Sequence, residues 1–188
     1  MIGAGFIDPV LDSQQCFRAV LDAMARPGRI QRIPARLEPP APLNLAAGAV
    51  LLTLTDTDTT VWLDCPEPMD WLRFHAGCTM VEGPGHAQFA VATGTMSELA
   101  TLNPGTEEEP HQATTLLVQV AAMQAGQGWR LTGPGIEYEH RLQVAGLPAD
   151  FLAQWSANQA RFPQGVDVVL CSGDLLACLP RTVRIEEA

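Results

Sequence analysis

Arg73, His75, Arg26 and Arg181 are the side chains of this 188-residue chain best suited to holding an anionic ligand. A guanidinium presents a planar fork of N–H donors that matches phosphate bidentately, and it stays charged at any ordinary pH. Arg73-Phe74-His75 falls within an expected helix. Arg26 stands before Pro27-Gly28 and Arg181 after Pro180, at element ends where a pocket rim forms readily. The same arginines also have a structural reading, as ion-pair partners of Asp8, Asp22 or Asp167 or as contacts to a partner protein.

Other chemistries find less support. Cys16, Cys65, Cys78, Cys171 and Cys178 form no CxxC pair and show neither zinc nor iron–sulfur spacing. His75, His86, His111 and His140 form no HxxxH or HExxH pair, so no metal is expected. His75 and Cys78 lie three residues apart; they would form a nucleophilic dyad or pack on one helix face, and packing is the simpler arrangement. No serine occupies a GxSxG elbow. Gly83-Pro84-Gly85 and Gly133-Pro134-Gly135 read as turns rather than phosphate loops, because proline removes an N–H that would cradle an oxyanion. All 11 positive residues are arginine. Without lysine there is no side chain for a Schiff base with pyridoxal phosphate and no P-loop lysine, and no cofactor is expected. No catalytic residue is assigned.

The elements that must position these side chains belong to one expected domain spanning 1–188. The chain is 47% hydrophobic and 17% charged, enough to fold around a sizeable core. A net charge of −10 argues against nucleic acid as a partner. An odd, scattered cysteine set and a start without a charged or apolar leader region predict a reducing cytoplasmic setting. No apolar run reaches the roughly 20 residues that span a bilayer, so no membrane role is expected.

Helical periodicity covers 13–25, with Ser13 or Asp12 as cap and Cys16, Phe17, Val20, Leu21 and Met24 on one face. Arg18, Asp22 and Arg26 share another face at i, i+4 spacing. Pro27-Gly28 ends this helix, and a short strand over 30–33 follows. Residues 34–42 read as an extended connection and 43–54 as a buried helix, although Val50–Leu54 alone would pass as a strand. Strands are expected at 60–63, 88–93, 166–171 and 175–179, the last two as a hairpin around Ser172-Gly173-Asp174. Helices are expected at 67–76 and 148–160. Residues 114–120 are apolar enough for a central strand covered on both faces, with 129–132 and 141–144 as its neighbours.

Two blocks carry a family resemblance. The first runs Gly5-Phe6-Ile7-Asp8-Pro9-Val10, Ser13-Gln14, Phe17-Arg18-Ala19 and Leu21-Asp22-Ala23-Met24-Ala25-Arg26-Pro27-Gly28; the second runs Phe162-Pro163-Gln164-Gly165-Val166-Asp167-Val168-Val169-Leu170 and Leu179-Pro180-Arg181-Thr182. In this order, with Val61-Trp62-Leu63, Leu72-Arg73-Phe74-His75 and Leu131-Thr132-Gly133-Pro134-Gly135-Ile136 between them, they resemble the PhnH family of the bacterial carbon–phosphorus lyase system for phosphonate breakdown, over roughly residues 5–184. The resemblance implies an α/β fold: a mixed-sheet sandwich related to the large domain of pyridoxal-phosphate transferases, without the cofactor. It implies a homodimer that assembles with PhnG, PhnI and PhnJ. With PhnG, PhnI and the ATP-binding-cassette-like PhnL, such a subunit is associated with moving the ribose triphosphate of ATP onto a phosphonate and releasing adenine. It would be inactive alone, with a phosphonate or nucleotide as a ligand it could share. The later bond cleavage belongs to an iron–sulfur radical subunit, for which this chain has no cysteine cluster. Two other readings stand beside this one: an autonomous enzyme acting on a phosphorylated metabolite through His75 or Cys78, and a pure interaction protein.

Overall fold

The computed structural model describes residues 2–187. Helix α1 spans Pro9–Ala25 and starts four residues before the expected position. The reason is local. The Asp8 carboxylate accepts the N–H groups of Val10 (3.1 Å) and Leu11 (3.0 Å), and Pro9 fills the first helical position, where no N–H is required. Asp12 reaches back to accept the N–H of Asp8. Helix α2 spans Leu45–Leu54 under an Asn44 cap that accepts the Ala47 N–H, so the strand alternative for Val50–Leu54 falls away. Pro39 lies against Gly48, where a Cβ would stand 2.8 Å from the proline ring.

The main sheet has seven strands: β1 (Gln31–Arg32), β2 (Thr60–Leu63), β3 (Thr79–Met80), β4 (Phe89–Ala92), β5 (Thr115–Gln119), β8 (Asp167–Ser172) and β9 (Leu175–Leu179). Their order is β1-β9-β8-β5-β4-β2-β3. β3, β2, β4, β5 and β8 are successively parallel, β9 returns antiparallel to β8, and β1 pairs antiparallel to β9. Only β9 therefore runs against the other six. Helix α3 (Met69–Ala76) connects β2 to β3.

Side-chain alternation divides the sheet into two cores. Leu117, Val169, Cys171, Leu176 and Cys178 face α1, α2 and α3; Leu116, Val118, Val168, Leu170, Ala177 and Leu179 face the other layer. That second layer consists of α4 (Phe151–Gln159) and a separate antiparallel sheet, order β10-β6-β7, made of β6 (Ala122–Thr132), β7 (His140–Ala145) and β10 (Arg184–Glu186). The expectation that 129–132 and 141–144 flank the central strand is corrected here. β5 is already paired on both sides, by β4 and β8, and leaves no hydrogen-bonding edge for them. They pair with each other instead and cover the sheet through Leu131 and Leu142.

A second correction concerns α1. Cys16, Val20 and Ala23 are buried, but Phe17 and Leu21 are 48% and 55% exposed. The helix carries two apolar stripes, and only one faces the core.

The Gly133-Pro134-Gly135 turn seats on the end of α1. A Cβ at Gly135, where φ is +82°, would stand 2.1 Å from the Ala25 carbonyl oxygen. Gly135→Ala combines that clash with a left-handed backbone, and urea unfolding should show a loss of at least about 1–3 kcal/mol.

Candidate functional site

The blocks that stand far apart in sequence meet in the fold. Arg26-Pro27-Gly28 lies against Gly133–Gly135 and Leu131, and Gly133 lies against the Thr182 carbonyl. Arg181 joins the end of β9 to the start of β8. Its backbone N–H and Nε donate to Asp167 Oδ1 (2.7 and 3.1 Å), and Nη2 donates to Oδ2 at 2.5 Å. Nη1 donates to the carbonyls of Pro110 (2.8 Å) and Pro163 (3.4 Å). This side chain is only 14% exposed. The fork of a guanidinium and the two oxygens of a carboxylate match geometrically, so the pair ties three chain segments to the sheet.

Next to it opens a cleft of about 780 Å³, between the C-terminal half of α4, the Gly133-Pro134 turn and β10. Arg181, Thr182, Arg184, Ser156, Gln159 and Phe162 are among its walls. α4 is held in place by Asn158, whose amide donates to the Val166 carbonyl (2.9 Å) and accepts the Val166 N–H (2.8 Å). Trp155 Nε1 donates to the Val183 carbonyl at 2.9 Å, fixing α4 against the chain entering β10.

Arg181 is the one expected ligand residue that lines this cleft. Arg26 pairs with Asp22, as the i, i+4 spacing allows, and Asp22 also accepts from Gln31. Arg73 is exposed on α3 and reaches Asp70 at 3.4 Å. His75 bonds through Nε2 to the Gly3 carbonyl at 2.9 Å and stands edge-on to Trp71 and Phe74. A Cβ at Gly5 would come within 2.8 Å of its Nδ1, so the imidazole is packed under the N-terminal segment. Cys78 lies beyond the end of α3 and is buried. Burial pushes its thiol up, against a lowering hydrogen bond with Thr55. Burial likewise raises Cys16, Cys65, Cys171 and Cys178. A cysteine nucleophile needs the opposite shift.

At the carboxyl ends of the parallel strands the polar groups are spent internally. Gln119 accepts the Asn44 N–H at 2.5 Å and donates to the Pro42 carbonyl at 2.9 Å; Asn44 donates to the Cys171 carbonyl. Asp64 accepts the N–H groups of Thr93 (2.7 Å) and Gly94 (3.1 Å) and the Thr93 hydroxyl (2.8 Å). Arg184 and Asn158 went unnoticed in the sequence. Arg184 alternates on β10 with Ile185, but a three-residue strand is too short to show that period.

An α/β protein with an arginine-walled cleft and no activated thiol is thus defined. The chain belongs to the PhnH family: the family model described as bacterial phosphonate metabolism protein (PhnH) matches residues 4–186. It is 40% identical over 190 residues to the alpha-D-ribose 1-methylphosphonate 5-triphosphate synthase subunit PhnH of Rhizobium meliloti (strain 1021), covering 96% of this chain and 94% of that protein. It is 35% identical over 178 residues to HtxG of Stutzerimonas stutzeri, provisionally named a C-P lyase subunit, covering 92% of this chain and 85% of that protein.

Asp167→Ala removes the carboxylate from a guanidinium that the fold holds in place. Chemical denaturation should show a loss of about 2–3 kcal/mol, and Arg181→Lys, which keeps charge but loses the fork, should recover little of the contact. In the native chain an aromatic disulfide reagent should modify Cys65 well before the other four cysteines, which are buried. Mass mapping of the labelled peptide checks this.

Proposed function

We propose that this chain is a subunit of a carbon–phosphorus lyase assembly, required with partner subunits for transferring the ribose triphosphate of ATP to an alkylphosphonate with release of adenine. In that transfer a bond from a phosphonate oxygen to ribose C1′ forms as the bond to adenine breaks. The relatives' names support the reading, both being called subunits. On this reading the chain supplies scaffold and binding surface, is inactive alone, and works with PhnG, PhnI, PhnJ and PhnL in the cytoplasm as one domain over 1–188. The seven-stranded mixed sheet with a single reversed strand supports kinship with the large domain of pyridoxal-phosphate transferases. With no lysine in the chain, the pyridoxal phosphate itself has no Schiff-base partner here.

The observation that carries the subunit reading is the outward stripe of α1. Val10, Phe17 and Leu21 recur at helical spacing and are 75%, 48% and 55% exposed, with Ile7 beside them. Singly exposed apolar residues are ordinary, but several recurring on one helix face mark a contact surface. We assign it to a companion subunit of the assembly; pairing of two copies through the same stripe is the other outcome to be measured. The autonomous-enzyme reading loses its proposed groups, since His75 is packed and Cys78 is buried with a raised thiol.

Tagged chain, expressed alone and with the neighbouring phosphonate genes, distinguishes these readings by mass and by turnover of ATP plus methylphosphonate. Alone it should be inert; with partners it should elute in a larger, active assembly. Phe17→Asp with Leu21→Asp should abolish that co-elution while thermal unfolding stays near wild type, because exposed substitutions cost about 0.5 kcal/mol or less. Turnover by the isolated chain overturns the proposal, and a mass change in the isolated chain alone reassigns the stripe to self-pairing.

A further inference from the structure

We infer that the cleft between α4, the Gly133-Pro134 turn and β10 is an anion site that binds the phosphoryl or phosphonyl group of a small organic ligand, with Arg184 as its principal cation. The inference stands on this cleft alone and holds whether or not the chain is a subunit.

Three observations converge. First, the cleft has no carboxylate among its lining residues, in a chain with 21 acidic side chains and a net charge of −10. Asp167, the carboxylate bound to the lining residue Arg181, is engaged by that guanidinium. Second, Arg184 is exposed and, like Arg18, Arg29, Arg36 and Arg161, has no carboxylate partner among the described residues; of these five it is the one that lines this cleft. Its neighbour on the same strand face, Glu186, is taken by Arg130 at 2.7 Å. Third, the side chains of Ser156, Gln159 and Thr182 line the cleft and make no hydrogen bond within the described residues. They are accessible donors set beside an unpaired arginine, whereas the buried side chains of Trp155 and Asn158 behind them are hydrogen-bonded within the fold.

The donor set favours a tetrahedral oxyanion over a carboxylate. Three oxygens on one phosphorus take donors from several directions at once, and here a guanidinium, two hydroxyls and an amide approach from α4 on one side and from the chain leading into β10 on the other. Arg181 contributes in a second way. Four of its five N–H groups are occupied by Asp167, Pro110 and Pro163, so it forms a rigid wall with one N–H to spare. Phe162, 63% exposed at the rim, offers a ring face to the organic part of the ligand. A volume of about 780 Å³ is ample for a ligand larger than the phosphoryl group alone.

The test is titration of the full chain, by calorimetry and ³¹P NMR, with tripolyphosphate, ATP and methylphosphonate, and with adenosine and acetate as probes lacking phosphorus. Saturable binding of at least one phosphorus probe is expected, with none of adenosine or acetate. Arg184→Ala should weaken it about 10- to 100-fold, the loss typical of one charge-assisted contact, and Arg184→Glu should abolish it. Arg36→Ala, which removes an exposed arginine remote in sequence and without a carboxylate partner, should leave binding unchanged. Tripolyphosphate and ATP binding equally would show that the phosphate chain alone is read. ATP binding more tightly would place its base on Phe162, which Phe162→Ala should reverse, and methylphosphonate binding most tightly would identify the phosphonyl group as the ligand. Equal weakening by Arg36→Ala, full binding by Arg184→Ala, or no saturation by any phosphorus probe at about 10 mM would each overturn the inference.

Discussion

The pair between Asp167 and Arg181 is the contact on which the geometry of the candidate site depends. Asp167 opens β8 directly opposite Thr115 of the central strand, and Arg181 follows the end of β9. Because the two strands form a hairpin, their outer ends meet, and a bidentate pair between them closes the hairpin at its open side. The remaining guanidinium donors then reach the carbonyls of Pro110, at the start of a 3-10 turn, and Pro163, in the loop after α4. A lysine's donors radiate from one nitrogen and cannot meet both Asp167 oxygens while reaching both carbonyls; the planar fork holds all three partners in one arrangement. The price of this rigidity is that Arg181 has little charge left to offer a ligand, which shifts the burden of recognition to the unpaired Arg184 two residues beyond Thr182.

Much of this was readable in the residues. The continuous apolar run of 114–120 marked a strand buried on both faces, and burial of Leu116, Leu117 and Val118 follows from its place between β4 and β8. The Asp22–Arg26 and Asp167–Arg181 pairs were both within reach of the charge pattern. The second sheet was not, because two antiparallel strands carry no mark of which sheet they join; that is decided by which edges remain open. The double-sided apolar pattern of α1 misled for a related reason. Periodicity reports which residues share a face, not whether a neighbour covers it. The cleft escaped because it is assembled from α4, a turn near 133 and the chain near 182, and neither Arg184 nor Ser156 carries a local motif.

The chemistry of the cysteines and arginines points the same way as the α1 stripe. Burial shifts all five thiols away from the thiolate that an attack needs, and the packed imidazole of α3 braces the N-terminal segment. A chain that displays binding groups and an apolar docking stripe without an activated nucleophile is suited to completing a site that others begin.

Where the cleft lies on the sheet adds a further step. In open parallel α/β sheets, ligands usually bind in the crevice beyond the carboxyl ends of the strands. Here that end is closed by the protein itself: Gln119 is bonded to the backbone at Asn44 and Pro42, and Asp64 to the turn at Thr93 and Gly94. The side chains that would otherwise face a ligand are consumed in holding the proline-rich connection and the loop after β4. The Arg184 cleft opens at the other end, where Asp167 starts β8 and α4 finishes. Thus Arg184 and the accessible donors of Ser156, Gln159 and Thr182 gather where the sheet's amino ends meet β10, and the polar groups at the ordinary ligand end are taken up structurally. A fold whose usual crevice is sealed can keep its scaffold while binding from a new face. On the proposed anion site, a sheet of this topology takes its ligand at the strands' amino ends rather than at their carboxyl ends.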